Sequence, residues 1–446
     1  MGKHFGTDGV RGRAGEFPLD ERTVSIIGRS LARQFEASLG RKPRFISGRD
    51  TRESGQAIEG AIHAGVAAEG GQISSAGVIT TPGVAFLTGA EGYDAGIVIS
   101  ASHNPFEDNG IKVFLPSGKK LDSSIEKLIE EDIEAGEIAP VAPIVLNEDL
   151  VEGFDEKYLE HLRSAAEGSS LSDFSIVLDC ANGAAYDLAP KLFRSLGAEV
   201  LVINDSPDGR NINKDCGSLH LDALSATVVE AGFDLGIAFD GDADRVLFVD
   251  HKGSVVDGDA TLWILATEMA EKDRLANRKV VATVMSNIGL EIAFRSRDID
   301  LIRAKVGDKY VLEELIRTGS VVGGEQSGHI IFPERSLVGD GMATAVLTLS
   351  SLARRGLSLC DAVAGFQRFP QVLVNVAVKE KRPFEEVRAI AEAAVGLEKE
   401  MAENGRLLLR YSGTENLARV MIEGVDQDDI ERKAAALADI IRENLG

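Results

Sequence analysis

The chain has 446 residues, more than one ordinary hydrophobic core accommodates, which predicts about three or four domains. Its 71 acidic and 48 basic residues give a formal net charge of -23. That field repels polyanions and argues against nucleic acid as a partner. The three cysteines form no CxxC pair, and no apolar run approaches the roughly 18–20 residues of a membrane span. We therefore expect a cytoplasmic protein with no membrane partner.

Short apolar segments that end in polar loops recur along the chain, and several are followed by helical patterns. Alternating strands and helices at this spacing predict an α/β fold whose ligands gather at strand ends. Two helices are predicted at Glu156–Ala165 and Gln427–Asn444. The predicted strands are Arg44–Ile46, Gly96–Ile99, Ile176–Leu178, Leu235–Phe239, Val246–Val249, Val280–Val284 and Val372–Val378.

Three breaks in this pattern suggest domain boundaries. A proline-containing linker covers Ile138–Glu152, and further breaks lie near His251–Gly253 and Phe369–Pro370. The last domain is predicted to be a small α+β unit that ends in the amphipathic helix. These breaks predict domains at residues 1–153, 154–251, 252–368 and 369–446.

The first candidate site follows the predicted strand Gly96–Ile99 and reads Ser-Ala-Ser-His-Asn-Pro at positions 100–105. Asn-Pro favours a turn, which would present Ser102 at the end of the strand. A nucleophilic serine needs a nearby base or a strong electrophile. The hydrolase motif G-x-S-x-G is absent from the chain, which argues against acyl-enzyme chemistry. A loop serine that only hydrogen-bonds the backbone is the simpler alternative.

The second candidate site is the segment Asp240–Arg245, between two predicted strands. Carboxylates at three alternate positions repel one another unless a cation compensates. An EF-hand does not fit, because Arg245 stands where glycine is required and His251 where glutamate is required. Three hard oxygen ligands with open coordination positions suit Mg²⁺ shared with a phosphate. A solvated acidic hairpin is the alternative.

The third candidate site reads Arg-Tyr-Ser-Gly-Thr-Glu-Asn at positions 410–416, with Arg419 following. Hydroxyl groups, a glycine backbone and two guanidinium groups within ten residues are typical of an anion-binding loop. An ordinary hairpin turn with surface arginines would give a similar pattern.

The fourth candidate site, Gly323–His329, carries polar groups on a glycine-flanked loop that could contact sugar hydroxyls. A purely structural loop is an equal alternative, and a lone histidine is more often structural than functional. The first motif continues to Asn109–Lys112, and two further segments, Gly6–Gly12 and Ala304–Lys309, place glycines next to cations. Together these segments hold seven cations within the acidic chain, so a small anionic substrate has a place to bind. These cations are Arg11, Lys112, Arg245, Lys305, Lys309, Arg410 and Arg419.

With these motifs in this order, the chain resembles the α-D-phosphohexomutase superfamily over essentially its whole length. Segments Asn211–Asn213 and Gly217–His220 resemble the glucosamine-specific branch. One departure is Asn416, where the family usually has a proline that pre-sets φ; this bears on the rigidity of the loop more than on its chemistry. The most specific shared segments are Ser100–Pro105, Asp240–Arg245, Gly324–His329 and Arg410–Glu415.

The resemblance implies three mixed α/β domains plus a small C-terminal α+β domain around a central cleft. In chain order, these would carry the phosphoserine, the metal, the sugar-binding loop and the phosphate-binding loop. The catalytic residues would be Ser102, His103, Lys112 and Arg11. One Mg²⁺ per chain would be held by Ser102, Asp240, Asp242 and Asp244. The substrate-binding residues would be Arg245, Lys305, Glu325, Ser327, His329, Arg410, Ser412, Gly413, Thr414 and Arg419.

The implied reaction converts glucosamine 6-phosphate into glucosamine 1-phosphate through phosphorylated Ser102. Glucosamine 1,6-bisphosphate would be its intermediate and activator, and the product would feed UDP-N-acetylglucosamine and cell-wall synthesis. Such transfer depends on in-line positioning and charge neutralisation, with Lys112 or His103 as a proton shuttle.

A phosphoglucomutase or phosphomannomutase on the same scaffold is the nearest alternative. A phosphatase acting through phosphoserine is less favoured, because a mutase cleft excludes water from its intermediate. A non-catalytic binding paralogue is disfavoured, since Ser102 and all three aspartates are present. The sequence leaves open whether the chain forms a homodimer.

Overall fold

The chain forms two compact units in the computed structural model. The first unit contains Met1–Thr283 and Ala304–Val363, and the second contains Val284–Arg303 and Ala364–Gly446. Of the helices in the described part of the chain, none combines the length and apolar character that a membrane span requires. The structure describes residues 4–6, 9–136, 138–146, 153–412 and 415–446.

The first sheet has six strands in the order β1-β2-β6-β5-β3-β4. β3 is parallel to both β4 and β5, whereas β6 runs antiparallel to β5 and β2. The strands are β1 Phe5–Gly6, β2 Gly9–Arg13, β3 Arg44–Arg49, β4 Gln72–Val78, β5 Ala95–Ile99 and β6 Asp108–Phe114. The accompanying helices are α1 Glu21–Leu39, α2 Gly55–Ala68, α3 Thr81–Ala90 and α4 Ser123–Ala135.

The helix α1 shows how the local sequence fixes these elements. The Asp20 carboxylate accepts a hydrogen bond from the backbone N–H of Thr23 at 3.0 Å, which caps the helix N-terminus. Gly40 ends the helix at φ 68, in the left-handed region that glycine adopts most easily. Between these caps the helix buries one apolar face, including Ile27 and Leu31, in the first hydrophobic core.

The second sheet has five strands in the order β11-β10-β9-β7-β8. β7 is parallel to β8 and β9, and β9 continues into the antiparallel strand β10. The strands are β7 Ser175–Asp179, β8 Glu199–Ile203, β9 Leu235–Phe239, β10 Val246–Asp250 and β11 Val255–Val256. The helices are α5 Phe154–Ser164, α6 Leu188–Ser195 and α7 Asp222–Ala231.

A third group of strands completes the first unit. β12 (Lys279–Thr283) is parallel to β14 (Gly323–Gly324), which pairs antiparallel with β15 (Ile330–Ile331). The helices here are α8 Gly258–Glu271, α10 Asp308–Thr318, α11 Gly341–Arg355 and α12 Leu359–Ala362.

The second unit has an antiparallel sheet in the order β16-β18-β17. Its helices α13 and α14 contribute Ile390, Leu437 and Ile441 to a core shared with the sheet. The elements are α9 Ile288–Arg295, β13 Asp300–Ala304 at the boundary with the first unit, β16 Gln371–Ala377, α13 Arg388–Met401, β17 Gly405–Tyr411, β18 Leu417–Gly424 and α14 Gln427–Leu445.

The α/β architecture predicted from the sequence is confirmed, and each predicted strand and helix is present with ends shifted by up to three residues. Part of the predicted linker, residues 147–152, lies outside the described residues. The other linker residues from 138 to 146 contain no helix or strand, in agreement with their prolines.

Candidate active site

Ser102 lies in the turn between β5 and β6, where its backbone has φ 53. The left-handed region costs a non-glycine residue about 1–2 kcal/mol, so surrounding contacts must hold it. Ser102 is only 1% exposed, and its backbone N–H donates to Ser100 Oγ at 2.9 Å. The turn that Asn-Pro predicted is therefore present, and it buries the hydroxyl.

The Ser102 hydroxyl contacts both a carboxylate and an imidazole. Ser102 Oγ donates to Asp240 Oδ2 at 2.5 Å, although the two residues are 138 positions apart. His103 Nδ1 lies 3.2 Å from the same oxygen. Burial, with the nearby Arg245 and Arg11 guanidinium groups, lowers the pKa of His103 to about 4. At neutral pH this imidazole is uncharged and has one nitrogen lone pair.

The three aspartates of the second motif converge in the loop between β9 and β10. Asp240, Asp242 and Asp244 are all buried, and one carboxylate oxygen from each lies within 4.8 Å of the others. The loop bends sharply, with Ala243 at φ 55. This geometry excludes the alternative of a solvated acidic hairpin.

Backbone hydrogen bonds from three separate segments hold the aspartate loop in place. Thr81 N–H at the start of α3 donates to the Asp242 carbonyl at 3.0 Å. Ala184 N–H donates to Gly241 O at 2.8 Å, and Gly341 N–H at the start of α11 donates to Ala243 O at 3.0 Å. The loop is therefore fixed before any ligand binds, as a preorganised site requires.

Cationic and polar groups offset part of the negative charge. Lys112 Nζ lies 2.7 Å from Asp242 and 3.6 Å from Asp244. Burial and the Asp244 charge would raise the pKa of Asp242, but Lys112 and the Thr81 hydroxyl bring it below its usual value. Burial and its two acidic neighbours raise the pKa of Asp240 well above the usual range, and the nearby Arg245 and the Ser102 hydroxyl offset only part of this rise.

The carboxylate oxygens fit a hard divalent cation. Asp242 Oδ1 and Asp244 Oδ1 are buried and accept no hydrogen bond from the residues that the structure describes. Buried polar atoms without partners are costly, and oxygen ligands are those that Mg²⁺ prefers. Within the described ranges, no other group of three acidic, histidine or cysteine residues has this spacing. The trio can therefore bind a metal ion.

The fourth motif reaches the aspartate loop through His329. His329 Nδ1 lies 3.6 Å from Asp244 Oδ1, and Nε2 accepts the Gly339 N–H at 3.2 Å. Arg245 Nε approaches the same Asp244 oxygen at 3.9 Å. His329 and Arg245 are thus next to the aspartates, where the sequence alone left a structural role open.

Glu325 is oriented by the start of helix α10. Its Oε1 accepts the Gly307 N–H at 3.0 Å, and Gly307 has φ 122, which glycine tolerates. Ser327 is half-buried in the turn between β14 and β15. Lys305 is exposed, with its ammonium 5.6 Å from the centre of the Tyr310 ring. Glu325, Ser327 and Lys305 are available to contact a ligand, whereas His329 already contacts Asp244 and Gly339.

The third motif lies in the second unit, on the hairpin of β17 and β18. Arg410 and Arg419 are directly opposite one another across the two strands. Burial and the charge of Arg419 lower the pKa of Arg410. Like charges in opposing positions are destabilising, so an anion between them would be favourable. Gly413 and Thr414 of this motif lie outside the described residues, and Ser412 Oγ accepts the Glu415 N–H at 3.3 Å.

Several polar contacts at the site were not predicted from the sequence. Thr81 Oγ1 donates to Asp242 Oδ2 at 2.5 Å, across 161 positions of the chain. Arg52 and Asn213 both hydrogen-bond the carbonyl of Ser102. The Thr-Thr-Pro sequence at positions 80–82 signals a helix start. It carries no sign that the second threonine contacts a carboxylate.

Models of four domain families match the chain in order. Domains I, II and III of phosphoglucomutase/phosphomannomutase match residues 2–139, 156–253 and 257–369. The C-terminal domain of the same family matches residues 373–440. The chain therefore belongs to the phosphoglucomutase/phosphomannomutase family.

Relatives that match almost the whole chain have a more specific name than the family. A phosphoglucosamine mutase of Solibacter usitatus is 47% identical over 443 residues, covering 99% of each chain. One from Deinococcus radiodurans is also 47% identical, covering 99% of this chain and 98% of its own.

Solved structures share the fold. A phosphoglucomutase/phosphomannomutase family protein of Burkholderia thailandensis matches with a TM-score of 0.80 at 23% identity, covering 100% of this chain and 98% of its own. An Aspergillus fumigatus N-acetylphosphoglucosamine mutase, crystallised with GlcNAc-6P and magnesium, gives a TM-score of 0.66 at 19% identity. This match covers 99% of this chain and 96% of the fungal one.

Proposed function

We propose that the chain interconverts glucosamine 6-phosphate and glucosamine 1-phosphate through a phosphoserine at position 102. The observation that carries the chemistry is the buried Ser102 hydroxyl, 2.5 Å from Asp240 within a trio of carboxylates. The substrate is inferred from the full-length relatives at 47% identity, which are named for it.

In the first half-reaction, a sugar hydroxyl attacks the phosphorus on Ser102, the P–Oγ bond breaks, and the hydroxyl proton passes to the enzyme. Glucosamine 1,6-bisphosphate is the product of this step. In the second half-reaction, Ser102 Oγ attacks the phosphorus at the other end of the sugar, the bond from that phosphorus to the sugar oxygen breaks, and the enzyme returns the proton to that oxygen. Phosphoryl transfer of this kind depends mainly on positioning and charge stabilisation.

We assign one Mg²⁺ per chain to Asp240, Asp242 and Asp244, with the oxygen on Ser102 completing the set. The ion would supply neutralisation of negative charge on the transferring phosphoryl group. Lys112 and Arg245 contribute further positive charge at the same place, 2.7 Å from Asp242 and 3.9 Å from Asp244.

His103 is the group we assign to proton transfer. Its Nδ1 lies 3.2 Å from Ser102 Oγ, within reach of the proton that moves in each half-reaction. Lys112, the other candidate, is buried against two carboxylates and is better placed to balance their charge. Arg11 would assist from β2.

The remaining residues are assigned to substrate binding. Glu325 and Ser327 would bind sugar hydroxyls, with Lys305 and His329 beside them. The phosphate that does not react would bind to the hairpin of the second unit, through Arg410, Ser412, Gly413, Thr414 and Arg419.

We also propose that the chain has four domains, at residues 1–153, 154–251, 252–368 and 369–446. A cytoplasmic location is proposed as well, which the three free cysteines favour.

Replacing Arg419 with alanine is expected to raise KM for the sugar phosphate about tenfold or more, because a charge-assisted contact to a non-reacting phosphate is lost. The value of kcat should fall less. Steady-state kinetics of Arg419→Ala check this, with Arg432→Ala as the control. Arg432 makes an exposed ion pair with Asp429 on α14. An unchanged KM would remove Arg419 from the phosphate site.

A coupled assay with a panel of hexose 6-phosphates tests the substrate. We expect kcat/KM for glucosamine 6-phosphate to exceed the values for the glucose and mannose analogues by at least about tenfold, the worth of one charged hydrogen bond to the C2 ammonium. A preference for glucose or mannose 6-phosphate would contradict the named substrate. It would leave the phosphoserine mechanism standing.

A further inference from the structure

The backbone around Ser102 is held by two side chains that donate hydrogen bonds to its carbonyl. Arg52 follows β3, and its Nη2 donates to the carbonyls of Ser102 at 3.1 Å and Asn104 at 2.6 Å. Asn213 lies in the loop between β8 and α7, and its Nδ2 donates to the same two carbonyls at 2.9 and 3.1 Å. The two carbonyls flank His103, so both donors hold the backbone of the nucleophile and its neighbouring imidazole.

Both donors are themselves fixed. Arg52 has no exposed side-chain surface and forms an ion pair with the equally buried Asp50. The Arg52 backbone N–H also donates to Asp50 Oδ1 at 3.0 Å. Asn213 is 9% exposed, and its backbone N–H donates to Ala181 O at 2.9 Å. Side chains held in this way lose little further freedom when they orient a neighbour.

The aspartate loop packs directly against these contacts. A side-chain carbon added to Gly241 would lie 2.6 Å from the Ser102 carbonyl oxygen and 2.8 Å from Asn213 Nδ2. Only glycine permits that approach. The Ser102 backbone, its two donors and the aspartate loop therefore form one packed assembly.

These hydrogen bonds to the backbone are needed because Ser102 is in the left-handed region, at φ 53. A residue in that conformation keeps it only when its surroundings compensate for the strain. Four hydrogen bonds from two buried side chains provide that compensation and fix the direction of Ser102 Oγ.

We propose that Arg52 and Asn213 are positioning residues that hold Ser102 and His103 in their reactive arrangement, a role that rests on the proposed phosphoserine mechanism. Their side-chain hydrogen bonds described above go to the carbonyls of Ser102 and Asn104 and, for Arg52, to Asp50. Their loss therefore acts on the rate of phosphoryl transfer and not on the binding of substrate.

The test uses the full chain with Asn213→Gly and Arg52→Lys. Asn213 has φ 57, so glycine removes the amide donor without adding backbone strain. Lysine keeps the positive charge beside Asp50 but lacks the planar fork that reaches two carbonyls. The matched control is Arg210→Ala. Arg210 forms an exposed ion pair with Glu53, adjacent in sequence to Arg52, and contacts neither carbonyl.

We expect kcat to fall about 10- to 100-fold in both variants, the usual effect of displacing a reacting group by about 1 Å. KM should stay within about threefold of wild type, since neither side chain belongs to the proposed substrate-binding set. The rate at which glucosamine 1,6-bisphosphate phosphorylates Ser102, followed by intact mass, should fall by the same factor as kcat. Arg210→Ala should behave as wild type in all three measurements.

Wild-type kcat in Asn213→Gly would overturn the positioning role, and so would a loss that appears only in KM. Asn213→Gly decides the matter by itself if Arg52→Lys proves unstable, which melting temperatures would show. A wild-type protein that never acquires phosphate on Ser102 would overturn the phosphoserine function as well, so the two failures are distinguishable.

Discussion

Ser102→Ala is expected to lower kcat by at least about a thousandfold, because the residue that carries the phosphoryl group in both half-reactions is removed. Binding of the sugar phosphate should change little, since the assigned binding groups are untouched. The alanine has no hydroxyl to donate to Asp240, but the buried turn and its backbone contacts are retained. Steady-state kinetics at saturating glucosamine 6-phosphate, together with thermal melting, measure both quantities.

Ser117→Ala is the matched control for this variant. Ser117 is exposed in the turn after β6, where its hydroxyl only accepts the Lys119 N–H at 3.3 Å. The control should keep wild-type kcat. Turnover by Ser102→Ala within a few-fold of wild type would exclude a phosphoserine intermediate at this position.

The second large effect is expected for Asp242→Asn, with kcat at low millimolar Mg²⁺ falling about a hundredfold or more. The substitution keeps the shape of the side chain but removes one of three negative charges. The ion pair with Lys112 at 2.7 Å is lost as well. Added Mg²⁺ should raise the melting temperature of the wild-type protein but not of the variant, because a ligand stabilises only a fold that binds it.

Asp234→Asn is the control for the metal site. Asp234 is exposed directly before β9, the strand that leads into the aspartate loop, and it hydrogen-bonds Ser175. This control should keep both turnover and the Mg²⁺-dependent stabilisation. Normal turnover of Asp242→Asn at low Mg²⁺ would contradict the assignment of this aspartate as a metal ligand.

Local sequence was sufficient to locate the candidate nucleophile and the aspartate loop. An apolar strand followed by Asn-Pro fixes a turn, so Ser102 was expected at the end of β5. Aspartates at alternate positions between two strands produce a hairpin loop on which the carboxylates converge. Both signals depend on residues within about ten positions of one another.

The contacts that hold these loops depend on distant parts of the chain. Asn213 reaches the Ser102 carbonyl across 111 positions, and Thr81 reaches Asp242 across 161. Asparagine and threonine are common in loops and helix caps, so their residue types carry no sign of such a partner. These side chains meet because the segments that follow β4, β5, β8 and β9 come together in the fold.

Packing of the fold also brings together a buried polar network in the first core. Ser47 Oγ donates to Glu59 Oε1 at 2.6 Å and lies 2.7 Å from His63 Nε2, between β3 and α2. Burial lowers the pKa of His63 to about 4, so this imidazole is neutral at pH 7. All three side chains are buried, and Arg49 Nε lies 3.4 Å from Glu59 Oε2, so the network joins β3 to α2.

Peptide mapping of the purified wild-type protein tests the central claim most directly. We predict a mass increase of about 80 Da on the peptide that contains Ser102, on part of the molecules. Glucosamine 6-phosphate should discharge it, and glucosamine 1,6-bisphosphate should restore it. A Ser102 peptide that stays unmodified after incubation of active enzyme with the bisphosphate, or phosphate found only at other residues, would contradict the account.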